Sequence, residues 1–66
     1  MFFLLIIIII MYYVQVGSLH GAFVDEFTAE VDARVAASAY RQEYSDSSYD
    51  VILMLPDGSD EYFDPS

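Results

Sequence analysis

From Phe2 to Met11 the chain reads FFLLIIIIIM, ten apolar residues without a break. The first Asp, Glu, Lys or Arg is Asp25, so 24 residues pass without a formally charged side chain. A stretch of this kind must be kept out of water. The softer continuation through Tyr12, Tyr13, Val14, Gln15, Val16, Gly17, Ser18, Leu19, His20, Gly21 and Ala22 ends at Phe23 and Val24. As a helix, residues 2–24 extend about 34 Å at about 1.5 Å per residue. A bilayer core of about 30 Å needs about 20 such residues. This predicts a transmembrane helix over residues 1–24 and a single-pass membrane location.

Other environments satisfy the same run. A cleaved signal peptide would end near Val16-Gly17-Ser18, but no basic residue precedes the apolar stretch. A buried strand suits five consecutive Ile, but a chain of 66 residues has little material with which to cover both its faces. A helix packed against copies of itself, in a filament or coat, buries its whole circumference just as a membrane span does. Within a span, Tyr12, Tyr13 and Gln15 would sit near mid-bilayer, where their polar groups call for a protein neighbour.

Everything after residue 24 has a different character. All 11 acids lie at or beyond Asp25, against two basic residues, Arg34 and Arg41, for a net charge of -9. Nucleic-acid binding is excluded on charge, because phosphate contacts need Lys and Arg. The chain has no Cys, which excludes a disulfide framework or a thiolate zinc site. The two cations lie close enough to the apolar segment to argue for a cytoplasmic C-terminal part, while the α-amino group at Met1 pulls the other way, so the orientation stays open.

Residues 25–44 read as an acidic amphipathic helix. Phe23, Phe27, Val31 and Val35 recur every four residues, with the acids mostly elsewhere. Glu30 and Arg34 form an i,i+4 pair of favourable orientation, and Arg41 near the helix end suits the dipole. Gly17, Gly21, Ala29, Ala33 and Ala37 continue one four-residue ladder, the small-residue pattern that lets helix backbones approach closely. Ordinary Ala-rich composition produces the same ladder. Residues 45–66 open with Ser45-Asp46-Ser47-Ser48, a stop or linker. Tyr49–Leu55 is then β-rich and apolar, Pro56-Asp57-Gly58-Ser59 signals a turn, and Asp60–Phe63 can return as a second strand. The expected fold is therefore mostly α: a hydrophobic helix, an amphipathic helix, and a short β-hairpin or extended segment.

Chemistry is sparse. His20, the sole histidine, could ligate a metal or the magnesium of a chlorophyll-type pigment, although an interfacial polar residue is the favoured reading. Asp57, Asp60, Glu61 and Asp64 do not follow calcium-loop spacing. Ser18 and His20 lack a third group to orient a base. No cofactor, metal site or catalytic constellation is expected. The reading is a non-catalytic accessory subunit that stabilises a larger membrane complex, in contact with that complex and with lipid. A self-assembling filament or coat subunit is the alternative. The expected partner contacts are Phe23, Phe27, Val31, Val35, Val51, Leu53 and Leu55.

Overall fold

Val14 and Val16 are buried, whereas Tyr13, Gln15 and Gly17, which alternate with them, are half-buried. This two-residue alternation is that of a strand with one face against a core. The computed structural model describes residues 10–65. Its elements run β1 (Tyr12–Ser18), β2 (Gly21–Phe27), α1 (Glu30–Glu43), β3 (Asp50–Met54) and β4 (Asp60–Phe63). The strands form one sheet in the order β2-β1-β3-β4, with every neighbouring pair antiparallel.

Register fixes which side chains share a face. Val14 lies opposite Asp25 on one side and Leu53 on the other, and Val16 opposite Phe23 and Val51. Helix α1 packs on this face through Ala33 and Ala37. With Val14, Val16, Val51 and Leu53 these form the buried core. Small residues at Ala33 and Ala37 let the helix backbone lie close to the strands. The helix begins at Ala29, an extended residue with no side-chain cap, and Glu30 and Asp32 in its first turn face the positive end of the dipole. At the other end the Tyr44 N–H returns to the Tyr40 carbonyl.

Two turns hold the strands in register. Leu19 and His20 connect β1 to β2, and Gly21 follows at φ 143°. In the second, the Gly58 N–H donates to the Leu55 carbonyl and the Leu55 N–H to the Ser59 carbonyl. Pro56 presets the turn, and Gly58 takes φ 90°, a conformation costly for residues with a Cβ. Asp57 Oδ1 accepts from both the backbone N–H and the hydroxyl of Ser59, at 2.9 and 2.6 Å.

The architecture corrects the mostly α expectation. The second half of the expected span, residues 12–24, is β1, a turn and most of β2. The boundary drawn between residues 24 and 25 falls inside β2. Valine and aromatic residues supply what a pleated strand prefers, and the glycines expected to soften a membrane exit flank a hairpin turn. Among the described residues no helix is long and apolar enough to cross a membrane, which overturns the transmembrane helix and the single-pass location inferred from it. The first part of that span, residues 1–9, lies outside the described residues. The acidic helix is 14 residues rather than 20, because Asp25–Phe27 belongs to β2, Thr28 and Ala29 lead into the helix and Tyr44 caps its end.

Candidate functional site

Both cations of the chain are engaged internally. The Arg34 Nε donates to Glu30 Oε2 at 2.9 Å, and its Nη1 to Glu61 Oε2, joining α1 to β4. These two carboxylates hold the guanidinium pKa above its usual value, the Glu30 bond contributing most. Arg41 is 8% exposed and has no carboxylate partner within ion-pair distance among the described residues. Its Nη1 donates to the carbonyls of Tyr49 (2.9 Å) and Phe63 (3.2 Å), and its Nη2 to those of Tyr44 and Asp46 (2.9 Å). One side chain thereby ties the helix end, the α1–β3 loop and the end of β4 together, and it satisfies carbonyls that a helix terminus leaves open. The buried Nε has no hydrogen-bond partner among the described residues.

A second cluster joins β2 to the helix. The Tyr40 hydroxyl donates to Asp25 Oδ2, which raises the phenol pKa because the neutral form makes the bond. Phe23 meets Tyr40 edge-on at 5.3 Å between ring centroids, and Tyr44 stacks at a tilt on Tyr49 at 5.0 Å. These contacts are structural. Tyr40, Tyr44 and Tyr49 are partly buried and pack against the core, and Phe23 is 40% exposed.

The sheet face opposite α1 has no layer over it among the described residues. Alternation and register place Val24, Gln15, Ile52 and Tyr62 in one row across all four strands. The next row is Glu26, Tyr13, Met54 and Asp60. A third contains Ala22, Gly17 and Asp50. Around the Gln15 amide the centre of the face is apolar and aromatic, with Tyr13, Ile52 and Met54 half-buried, and Glu26, Asp50 and Asp60 stand at its margins. Val24 is 48% exposed and Tyr62 64%. A depression of about 310 Å³ opens where Gly17 and Ala22 lack bulk, lined also by Gln15, Asp50 and Ile52.

The residues expected from the sequence are dispersed. Gly17 lies on β1, Gly21 starts β2, Ala29 caps the helix, and Ala33 and Ala37 face the sheet. The ladder is therefore no continuous helical stripe. Its buried members pack on the chain's own strands. Val51 and Leu53 are 1% and 0% exposed, held in the core and out of a partner's reach. Leu55 and Phe27 pack at the core's edge, and Phe23 belongs to the aromatic cluster. Val31 and Val35 are open on the outer face of α1, at 67% and 65%. His20 is exposed in the β1–β2 turn, where Ser18 Oγ accepts from its backbone N–H at 3.2 Å. No group of three or more His, Asp or Glu suited to a metal ion occurs among the described residues. Half-buried Ile52 and Met54 and exposed Tyr62 are not among the partner contacts expected from the sequence, whereas Tyr13 is expected to meet a protein neighbour. The alternation Val51-Ile52-Leu53-Met54 holds the signal, but both of its phases are apolar. Comparison with protein-family models, with curated proteins and with solved structures finds no match for this chain.

Proposed function

We propose that this chain is a non-catalytic interaction module, an accessory subunit held to a larger assembly by a partner with a basic surface. One observation carries the reading. Arg34 and Arg41 are both committed to bonds within the fold, so the charge left to face other molecules is acidic. A field of that sign speeds encounter with cationic surfaces and repels polyanions. The groups with the most chemistry support the same reading. Tyr40, Arg34 and Arg41 are used in joining elements, and His20 stands apart from them in a turn.

The alternative of self-assembly is less well supported. Copies each carrying -9 repel one another, and no described cation is free to bridge them. Co-purification from the native host at about 0.05 M and about 0.5 M salt separates the two, since screening acts on exposed charge. The expected result is a hetero-complex at low salt, one copy of this chain per larger particle, that dissociates at high salt. Recovery of the chain alone, or with its own copies only, overturns the reading.

A further inference from the structure

We propose that the open sheet face binds one amphipathic helix of a partner protein, its apolar stripe on Tyr13, Val24, Ile52, Met54 and Tyr62 and its flanking Lys or Arg side chains on Glu26, Asp50 and Asp60. The inference rests on the interaction-module reading and adds the surface and the kind of partner.

Dimensions come first. Four strands at about 4.8 Å give a face about 14 Å across, the width of a single helix with its side chains, about 10–12 Å. The opposite face is already covered in this way by one helix, α1. A second helix would complete a sheet with a helical layer on each side, a common way to bury two apolar faces.

Charge selects the occupant. The apolar rows end in Glu26 and Asp60 along one line, and Asp50 closes the third row. Arg34 reaches Glu61, whose register with Leu53 places it on the helix side of the sheet. The open face thus presents carboxylates with no described cation among them. A second copy laid on this face would set acid against acid. Nucleic acid and anionic lipid are repelled for the same reason. A helix edged with Lys or Arg meets apolar surface at the centre and opposite charge on both flanks.

The depression at Gly17 sharpens the fit. Ala22 and Ile52 offer apolar walls and Asp50 a carboxylate at the rim, the pairing that suits the aliphatic stem and cationic head of a lysine or arginine. The fold itself leaves room there. A Cβ at Gly17 would lie 3.4 Å from the Ala22 Cβ, an ordinary contact. Gly17→Ala therefore narrows the notch without straining the backbone.

The test uses the full chain, isotope-labelled, titrated with a designed peptide of about 18 residues, long enough to form helix on a surface. The peptide carries Leu along one stripe and Lys on both flanks. A control replaces each Lys with Glu. The expected result is amide shift changes at Gln15, Gly17, Val24, Ile52, Met54 and Tyr62 with the Lys peptide alone. Ile52→Glu should weaken binding about tenfold or more, as loss of a central apolar contact does. Asp50→Asn and Gly17→Ala should each weaken it about two- to fivefold at low salt, the size expected of rim contacts. Val31→Glu with Val35→Glu should leave it unchanged. Shifts centred on α1, equal binding of the Glu peptide, or no saturable binding overturns the proposal. So do contacts of residues 2–9, or of a second copy, with the open face of the free chain. If the native hetero-complex forms yet ignores Ile52→Glu, the surface is wrong and the interaction-module reading stands.

Discussion

Replacing Arg41 with Met asks how much of the fold hangs on one buried cation. Arg41 makes four bonds to carbonyls, one from the helix end (Tyr44), two from the α1–β3 loop (Asp46 and Tyr49) and one from the end of β4 (Phe63). A hydrogen bond to a charged group contributes about 1.5–3 kcal/mol, so the four together are large. Removing a guanidinium from water costs several kcal/mol and offsets much of that. The Met variant escapes the dehydration cost but strands the acceptors. Asp46 is exposed and Tyr44 partly so, and water can reach their carbonyls. Tyr49 and Phe63 pack against the core, and theirs are harder to rewet. At about 1–3 kcal/mol per stranded group, with some of the loss recovered, Arg41→Met should cost about 3 kcal/mol. Arg41→Lys keeps a charge but has three donors from one point and no planar fork, so about 1–2 kcal/mol is expected. Stability of a chain of 66 residues is roughly 3–10 kcal/mol, so the Met variant loses a third or more. Urea denaturation followed by far-ultraviolet circular dichroism measures the difference, and the melting temperature should fall by about 12–24 °C. A loss below about 1 kcal/mol for Arg41→Met would mean that the four carbonyls are solvated in the folded chain, and the account of Arg41 as a tie between three elements would fail.

Three further outcomes are expected. Leu53 is fully buried, so Leu53→Ala should cost about 2–5 kcal/mol, and Ala37→Leu about 1–3 kcal/mol by forcing α1 off the sheet; if both variants melt like the parent, the core has been assigned to the wrong face. The Tyr40 phenol is raised above 10.0 by its bond to Asp25, so its stabilising contribution is complete below the unfolded value and is lost as pH rises through the folded one; ultraviolet titration should show one late tyrosine step that Tyr40→Phe removes, and retention of that step would assign it elsewhere. The carboxyls of Asp46 and Asp57 are held below 3.8, chiefly by hydrogen bonds from Ser48 and Ser59 respectively, so their contribution is present above that value and lost as pH falls through the folded one; melting measured across the acid range should fall less steeply for Asp57→Ala than for the parent, and parallel curves would contradict the assignment.

How far the fold could be read from the sequence depends on a coincidence of periods. Phe23, Phe27, Val31 and Val35 recur every four residues, and four is close to one helical turn as well as twice the strand period. In the first pair the strand period applies, since Phe23 and Phe27 share a sheet face with Asp25 between them in the same phase. In the second pair the helix period applies. The Gly17–Gly21 spacing has the same double meaning, and here it spans a two-residue turn. In β1 the alternation was hidden because Tyr13 stands in the outward phase and extends the apolar run. Only Gln15 and Gly17 hint that one phase differs. The C-terminal turn was easier to read because Pro56 and Gly58 restrict the backbone locally, with no help from distant residues. Arg41 is the opposite case. As a residue near a helix end it looks like a dipole partner, and its acceptors on Tyr49 and Phe63 exist only once β3 and β4 have folded back.

The small-residue ladder and the acid excess were both visible in the sequence, and the structure changes what they mean. Ala33 and Ala37 do mark close packing, against Val14, Val16, Val51 and Leu53 of the same chain. Because one 14-residue helix covers one face of a four-stranded sheet, the other face has to be managed in a different way. An exposed apolar sheet face and free edges invite indiscriminate pairing. Carboxylates at Glu26, Asp50 and Asp60 oppose pairing with the chain's own copies and with polyanions, while they leave the apolar centre available to a cationic surface. The same charges that keep the open face from associating at random would then decide what it associates with, and that link is strongest at low salt, where exposed charges are least screened.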